Sequence, residues 1–447
     1  MSTRLSSFLP WLALASAARW LAALRTDVPG RDGASYLWMA EQAAAGHIDA
    51  LFATVFHPLY PALVALLLGC VPGLDPVLAG QWVSCGAGAL AIVPLGLLAH
   101  RLLGPAAAQV GMLCYALGLW FCRHPAECMS EGPFFLLVPW TVLALHCGRV
   151  RSAGVLGALA YAARPEGGAL WLCLLPWLLQ RGRYRQALEF TLAYALVALC
   201  LPLGYWHFGS GFTLTPKAGF TWADGAGGAT AGVLVHYLTN LGRLVGVLFE
   251  ALGPLTVPCI ALGVCRRREW LLLAPFALFF GLIPLLRSHE RFLLGYGLLL
   301  LPFAGLGLAW LAARVPLRPR TVGVLLLLLV ARDLVLLPEA WQRERLVEKH
   351  LGRHLRRELR PGERVATEMP RLEYFAGQQP GPPRAVRADE VLAACTDPAT
   401  RYVVFVAPRT PIDPAELARR GFTPAVIEGD LGLELSARNI RIFERKR

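Results

Sequence analysis

"HPLYPALVALLLGCV", residues 57–71, is the stretch on which the topology turns. It is as apolar as a membrane span, yet it falls short of the ~20 residues that a bilayer-crossing helix needs. Pro58 and Pro61 stand at its entrance. We expect a re-entrant or interfacial helix lying against the outer leaflet, and that choice sets the parity of everything after it.

Working outward, we expect spans at 7–24, 77–99, 105–121, 132–148, 152–165, 168–180, 187–203, 244–264, 270–286, 292–312 and 321–338. That is about 11 transmembrane helices. With the N-terminus in the cytoplasm, the inside loops hold Arg101, then Arg149 and Arg151, then Arg181, Arg183 and Arg185. Arg266, Arg267 and Arg268 follow, then Arg314, Arg318 and Arg320. Every dense arginine cluster between spans then obeys the positive-inside rule, and a full crossing at 57–71 would move them all outside. The N-terminal apolar run lacks a convincing cleavage site and reads as an uncleaved first helix.

The composition agrees. Of 447 residues, 56% are hydrophobic and only 16% charged, too apolar for a soluble chain of this length. The net charge of +13 does not point to nucleic acid, because the basic residues punctuate apolar segments and form no soluble patch. The eleven cysteines show no CxxC or Cys/His ligand spacing and read as small buried hydrophobes. Residues 1–338 are therefore expected to form an all-α multipass membrane domain with added juxtamembrane helices.

Residues 339–447 are polar and are expected to form a small C-terminal α/β domain on the extracytoplasmic side. "RVATEM", "RYVVFVAP" and "IRIFER" have strand character, while "WQRERLVEKHLGRHLRREL" and "DPAELARRGF" read as helical. "ADGAGGATAG", residues 223–232, reads as a flexible outer loop suited to gating a substrate.

Charge near hydrocarbon costs roughly 2.5–3.5 kcal/mol on insertion scales, so it tends to be paired or functional. Five outer segments carry such charge. Arg25, Arg31 and Asp32 follow the first span, before an amphipathic helix over 33–46. "FCRHPAECMSEGPFF" brings Arg123, His124, Glu127 and Glu131, and "AARPEGG" brings Arg164 and Glu166. Lys217 and Asp224 lie in the 204–232 loop, and "LLRSHERFLL" holds Arg287, His289, Glu290 and Arg291. Singly, each reads equally well as a local salt bridge. Recurrence of cations with carboxylates at one membrane face suits a base beside a phosphate site, because arginine matches phosphate geometry with a bidentate fork.

"RDGASYLWMAEQAAAGH" followed by "HPLYPALVALLLG" resembles the GT-C glycosyltransferases that use polyprenyl-phosphate sugars. Within that fold it is similar to bacterial relatives of the protein O-mannosyltransferases and of the lipid A aminoarabinose transferase. The family's D-x-x-x-Y-x-x-x-A pattern in the first outer loop is matched by Asp32, Tyr36 and Ala40. Its His/Lys-Pro motif opening a juxtamembrane helix is matched by His57, Pro58 and Pro61. "MSEGPFFLL", "AARPEGGAL" and "HERFLLGYGLLLLP" resemble its later outer-face segments, so the likeness covers most of residues 25–310. One departure is that many relatives carry two acidic residues in tandem where this chain has Asp32 and then Gly33.

The resemblance implies transfer of a sugar from a polyprenyl-phosphate donor to a lipid, glycan or protein acceptor, in a bacterial plasma membrane. Such a transfer needs a base for the acceptor, cations for the departing phosphate, and alignment of the two reactants. Asp32 is the expected base, with a helix N-cap as its structural alternative. Arg164, Arg287 and Arg291 are expected to bind the donor phosphate, with Lys217 and Arg123 next. Glu127, Glu131 and Glu166 are expected to hold these cations or bind acceptor hydroxyls, and Tyr36 and Trp38 to line the sugar or lipid path. His57, His289 and Glu290 are expected to be acceptor-binding or supporting residues. No cofactor is assigned. His57, His124 and His289 with Glu127 or Glu290 leave a divalent ion open. A transporter or flippase of a lipid-linked sugar is the rival, although it favours midplane charge and repeated halves. A non-catalytic GT-C-fold binder of lipid-linked sugar is a further alternative.

Overall fold

The computed structural model describes residues 5–208, 211–214, 230–285, 290–314, 319–337, 345–380, 388–407, 410–427 and 429–445. Helix covers each of the stretches expected to span, from Leu9–Leu24 to Pro319–Leu336. Among the described residues three continuous helices, Pro76–Leu103, Tyr184–His207 and Arg291–Arg314, are long and apolar enough to cross a bilayer, and five if each of two bent pairs is one span. The chain is a multipass membrane protein. Most of the remaining helices are shorter, because proline and glycine interrupt the apolar runs.

The deciding stretch at 57–71 forms a helix, Leu59–Cys70. At 1.5 Å per residue it spans roughly 18 Å, well short of a bilayer core. It packs between the Arg31–Ala44 and Pro76–Leu90 helices, where Tyr60 and Val64 are buried with Leu37 and Ala40.

Two expected spans are broken. The segment at 244–264 is two helices, Thr230–Leu252 and Thr256–Arg266, that meet at 102°. Gly253 adopts a φ of +98°, open to glycine at no steric cost, and Pro254 has no amide hydrogen to continue the ladder. The segment at 105–121 bends by 44° between Pro105–Leu117 and Leu119–Ala126. Arg123 and His124 therefore stand on a short helix rather than in an outer turn. The glycine-rich 223–232 segment lies outside the described residues except for its last three, which begin the Thr230–Leu252 helix.

Two sets of charges lie at opposite ends of the bundle. Arg151 and Arg185 share Glu189, at 3.2 and 3.1 Å, and the Arg266 and Arg314 guanidiniums lie 4.4 and 5.4 Å from the Trp310 ring centroid. Arg164 follows the far end of the Val150–Ala163 helix that carries Arg151 in its first turn. The loops expected in the cytoplasm and the charged outer turns are thus separated by the helix length, roughly 20 Å at 1.5 Å per residue.

The C-terminal region holds all the strands among the described residues: β1 (Arg364–Thr367), β2 (Thr400–Val406), β3 (Phe422–Pro424) and β4 (Ile440–Arg445). Their order is β1-β2-β4-β3, with β1 parallel to β2 and the other pairs antiparallel. Alternation along β2 divides the core. Tyr402 and Val404 pack with Val347, Leu351 and Leu355 of the Leu346–Glu358 helix, while Val403 and Phe405 face Phe422 and Phe443 on the other side. The helical reading of "DPAELARRGF" runs too far: the helix is Pro414–Arg419, and Gly421 at φ +83° turns the chain into β3 at Phe422.

The sheet region packs on the Asp32 side of the bundle. Tyr374 and Phe375 join the apolar cluster of Tyr36, Leu37 and Ala40 on the Arg31–Ala44 helix. Lys349 Nζ donates to the Asp27 carbonyl at 3.0 Å.

Candidate functional site

Asp32 stands in the first turn of the Arg31–Ala44 helix, where unsatisfied amide groups favour a carboxylate. The N-cap is Gly30, and no side chain caps the helix, so the capping alternative does not describe Asp32. Its side chain is only 8% exposed, and its Oδ2 accepts a hydrogen bond from Arg291 Nη2. Arg291 is the second residue of the Glu290–Gly297 helix.

From there the charges alternate. Arg291 Nε lies 3.7 Å from Glu131 Oε1, and Arg164 Nη1 pairs with that same oxygen. Arg164 Nη2 then donates to Glu166 Oε1 at 2.7 Å. One chain of ion pairs, Asp32–Arg291–Glu131–Arg164–Glu166, joins four segments far apart in sequence. Glu131 is 1% exposed and Arg164 4%, so neither charge is tolerable without the other.

Aromatic rings hold the guanidiniums in place. Arg164 lies 6.0 Å from the Phe134 ring centroid and 5.9 Å from that of Phe292, and Arg291 lies 5.4 Å from Phe292. Ring faces attract cations most strongly where water is excluded. The Tyr296 hydroxyl donates to the Glu166 carbonyl at 2.6 Å and fixes the turn after Arg164. The Tyr36 hydroxyl and Ser130 Oγ are 3.0 Å apart, which places the ring beside Glu131.

The loops that carry Asp32 and Glu131 are stitched together beneath the cluster. Gln81 Nε2 donates to the carbonyls of Thr26 at 2.9 Å and Ala126 at 3.0 Å. Gly30 N–H donates to the Glu127 carbonyl at 2.8 Å. Glycine at 33 is required by close approach, since a Cβ there would lie 2.5 Å from the Glu127 carbonyl oxygen.

The other candidate residues divide into those placed and those outside the described set. His57 donates from Nδ1 to the Tyr161 carbonyl, and its ring meets that of Tyr161 edge-on. Arg123 Nη2 donates to the Leu336 carbonyl, at the end of the Pro319–Leu336 helix. His124 stacks on Trp120 with ring centroids 5.3 Å apart, and Glu127 pairs with Arg345 at 3.4 Å. Lys217, Asp224, Arg287, His289 and the Glu290 side chain lie outside the described residues.

Gln81, Ser130, Phe134, Phe292 and Arg345 did not stand out in the sequence. A buried glutamine in an apolar helix is a readable signal, and Phe292 adjoins a candidate arginine. Nothing local to Arg345 announces Glu127 as its partner.

Among the described residues no group of three or more His, Cys, Asp and Glu is placed to hold a metal ion. Asp32, Glu131 and Glu166 each face a guanidinium instead, and His289 and the Glu290 side chain, offered by the sequence as ligands, lie outside the described residues.

No protein-family model matches the chain, and no curated protein matches it in sequence. Solved structures do match. ArnT from Cupriavidus metallidurans bound to undecaprenyl phosphate superposes with a TM-score of 0.68 at 12% identity, over 99% of this chain and 98% of that one. The Archaeoglobus fulgidus oligosaccharyltransferase in complex with Zn and sulfate gives 0.62 at 15% identity, over 95% of this chain and 70% of that one. The oligosaccharyltransferase AglB from the same organism, with an inhibitory peptide and a dolichol-phosphate, gives 0.56 at 12%, over 90% and 70%. At such identities the likeness is one of fold, and the GT-C resemblance expected from the sequence holds at that level.

Proposed function

We propose that this chain is an integral-membrane glycosyltransferase that moves a sugar from a polyprenyl-phosphate donor to a lipid, glycan or protein acceptor. Its site would open at the extracytoplasmic face of a bacterial plasma membrane, with the N-terminus in the cytoplasm and residues 339–447 outside. The observation that carries the reading is the pairing of Asp32 with Arg291 inside a buried charge chain, on a fold shared with an ArnT bound to undecaprenyl phosphate.

In this mechanism the acceptor hydroxyl gives its proton to the Asp32 carboxylate as its oxygen attacks the anomeric carbon. The bond from that carbon to the phosphate oxygen breaks, and the polyprenyl phosphate leaves with the electron pair. Asp32 is aimed by Arg291, so its geometry is set before the acceptor arrives. Arg291 meets the charge that grows on the leaving phosphate, which is often the largest catalytic contribution. Arg287 and Lys217 complete the phosphate site. Arg164, gripped by Glu131 and Glu166, serves the phosphate more by holding the cluster than by a fork free to bind. Arg123, tied to Leu336, contributes at longer range. Tyr36 and His57 line the acceptor side, and Glu127, His289 and Glu290 support the cations. No step runs through a metal ion.

The test is incubation of the purified protein with radiolabelled polyprenyl-phosphate sugars and membrane extract. Label leaving the donor and appearing in an acceptor supports the reading and identifies that acceptor. Intact donor carried across proteoliposomes, with no label lost, would replace the enzyme by a flippase.

A further inference from the structure

We propose that Arg345 and Lys349 form a two-point latch by which the C-terminal region positions Asp32. Arg345 acts as a positioning residue through Glu127. The effect on catalysis rests on the role proposed above for Asp32, while the latch itself does not.

Arg345 and Lys349 are four positions apart, so both project from one face at the start of the Leu346–Glu358 helix. Arg345 Nη1 lies 3.4 Å from Glu127 Oε1, with side-chain exposures of only 18% and 9%. Lys349 Nζ donates to the Asp27 carbonyl at 3.0 Å. The two cations thus hold two different outer loops, one before Asp32 and one before Glu131. Opposite charges withdrawn this far from water attract more strongly than surface pairs do.

The Glu127 peptide is where the hold reaches Asp32. Its carbonyl accepts the Gly30 N–H at 2.8 Å and sits so close to Gly33 that no side chain fits there. Gly30 and Gly33 bracket Asp32, so a displacement of the Glu127 peptide is passed to the backbone on both sides of the carboxylate. The same helix is braced from behind. Glu348 accepts two bonds from Arg371, at 2.9 and 2.6 Å, and the Pro370–Phe375 helix that Arg371 belongs to buries Tyr374 and Phe375 against the Asp32 helix. A side chain set 1 Å out of line far from the chemistry can cost about a hundredfold in rate, which makes such bracing worth its ordering.

The test uses the full chain in nanodiscs, with Arg345→Gln, Glu127→Gln, the double variant, and the charge swap Arg345→Glu with Glu127→Arg. Hydrogen–deuterium exchange is followed on the peptide covering residues 27–37, alongside turnover of a radiolabelled polyprenyl-phosphate sugar. Each single variant should speed exchange at Gly30 by about tenfold, since local opening replaces a bonded amide. Turnover should fall about tenfold to a hundredfold with donor KM unchanged. The double variant should be no worse than either single one, and the swap should restore most of both signals. Should Arg345→Gln fail to fold, Lys349→Met removes the second point alone and should give the same exchange signature at smaller amplitude. Unchanged exchange in the folded variants, or additive losses in the double variant, overturns the latch. Faster exchange in a protein that turns over no such donor keeps the latch and removes the proposed chemistry. Turnover that needs Asp32 but ignores Arg345 does the reverse.

Discussion

Arg291 reaches Asp32 across 259 positions of sequence, and the two side chains share a hydrogen bond at the mouth of the bundle. A guanidinium bonded to one oxygen of a nearly buried carboxylate restricts how that carboxylate can turn, as the base proposed above requires. The pair also joins the segment after the Leu9–Leu24 helix to the helix that begins at Glu290, far along the chain.

Asp32→Asn should therefore abolish transfer while the protein still expresses and inserts. A general base contributes roughly 10²–10⁴-fold, and the isosteric amide keeps the shape of the site. The measurement is transfer from a radiolabelled polyprenyl-phosphate sugar. Turnover within a few-fold of the wild type would move the base to another residue.

Glu131→Gln should damage stability more than any exposed substitution. Its carboxylate faces both Arg164 and Arg291 at 1% exposure, and removing one partner of a buried pair typically costs about 3–5 kcal/mol. A thermal melt of the detergent-solubilised protein should show a clear downward shift in Tm. Equal melting curves would mean that Glu131 does not anchor the cluster.

Gly33→Asp would recreate the tandem acidic pair of the resembled family, and this chain has no room for it. The new Cβ would meet the Glu127 carbonyl at 2.5 Å and the Cys128 carbonyl at 3.2 Å, both backbone atoms. Overpacking of this kind typically costs about 1–3 kcal/mol. Gly30→Ala meets the Met129 and Glu127 side chains, at 3.0 and 3.1 Å, rather than backbone, and should be milder. Ranking the two variants by Tm and by turnover checks the argument.

Glu41 supplies a pH test at the seam with the C-terminal region. Burial raises its carboxyl above the ordinary value, partly offset by a hydrogen bond from Tyr374. The folded state therefore resists ionisation, and the penalty appears as pH rises above the unfolded carboxyl's pKa of about 4.3. Glu41→Gln should raise Tm at pH 7, and the gain should shrink as pH falls toward 4. A gain that is flat with pH would mean that charge is not its source.

Much of this arrangement was legible because membranes make charge conspicuous. Asp32, Glu131, Arg164, Glu166 and Arg291 stand out in the sequence since each lies where hydrocarbon penalises it, and the structure gathers all five. Which cation meets which carboxylate was not legible, because partners on different segments leave no local trace. Arg164 illustrates this: the sequence offers it to a phosphate, while the fold spends its fork on Glu131 and Glu166. The break at Gly253 and Pro254 was readable from the dipeptide itself and was hidden by the apolar pattern running through it. Strand β3 was hidden differently, as a three-residue run that gains its partner only when β4 lies beside it.

The corner at Gly253 also sets how far the chain can be trimmed. A right-angled bend leaves main-chain oxygens that helix geometry no longer serves, and lipid offers them nothing. Arg332 of the Pro319–Leu336 helix donates to the Glu250 carbonyl at 3.0 Å, just ahead of the bend. A version of the protein ending after Arg314 would strip that donor away and uncover the elbow. The last long helix is thus a seal on the bundle as well as a tether for the sheet region, and a minimal membrane core has to include it.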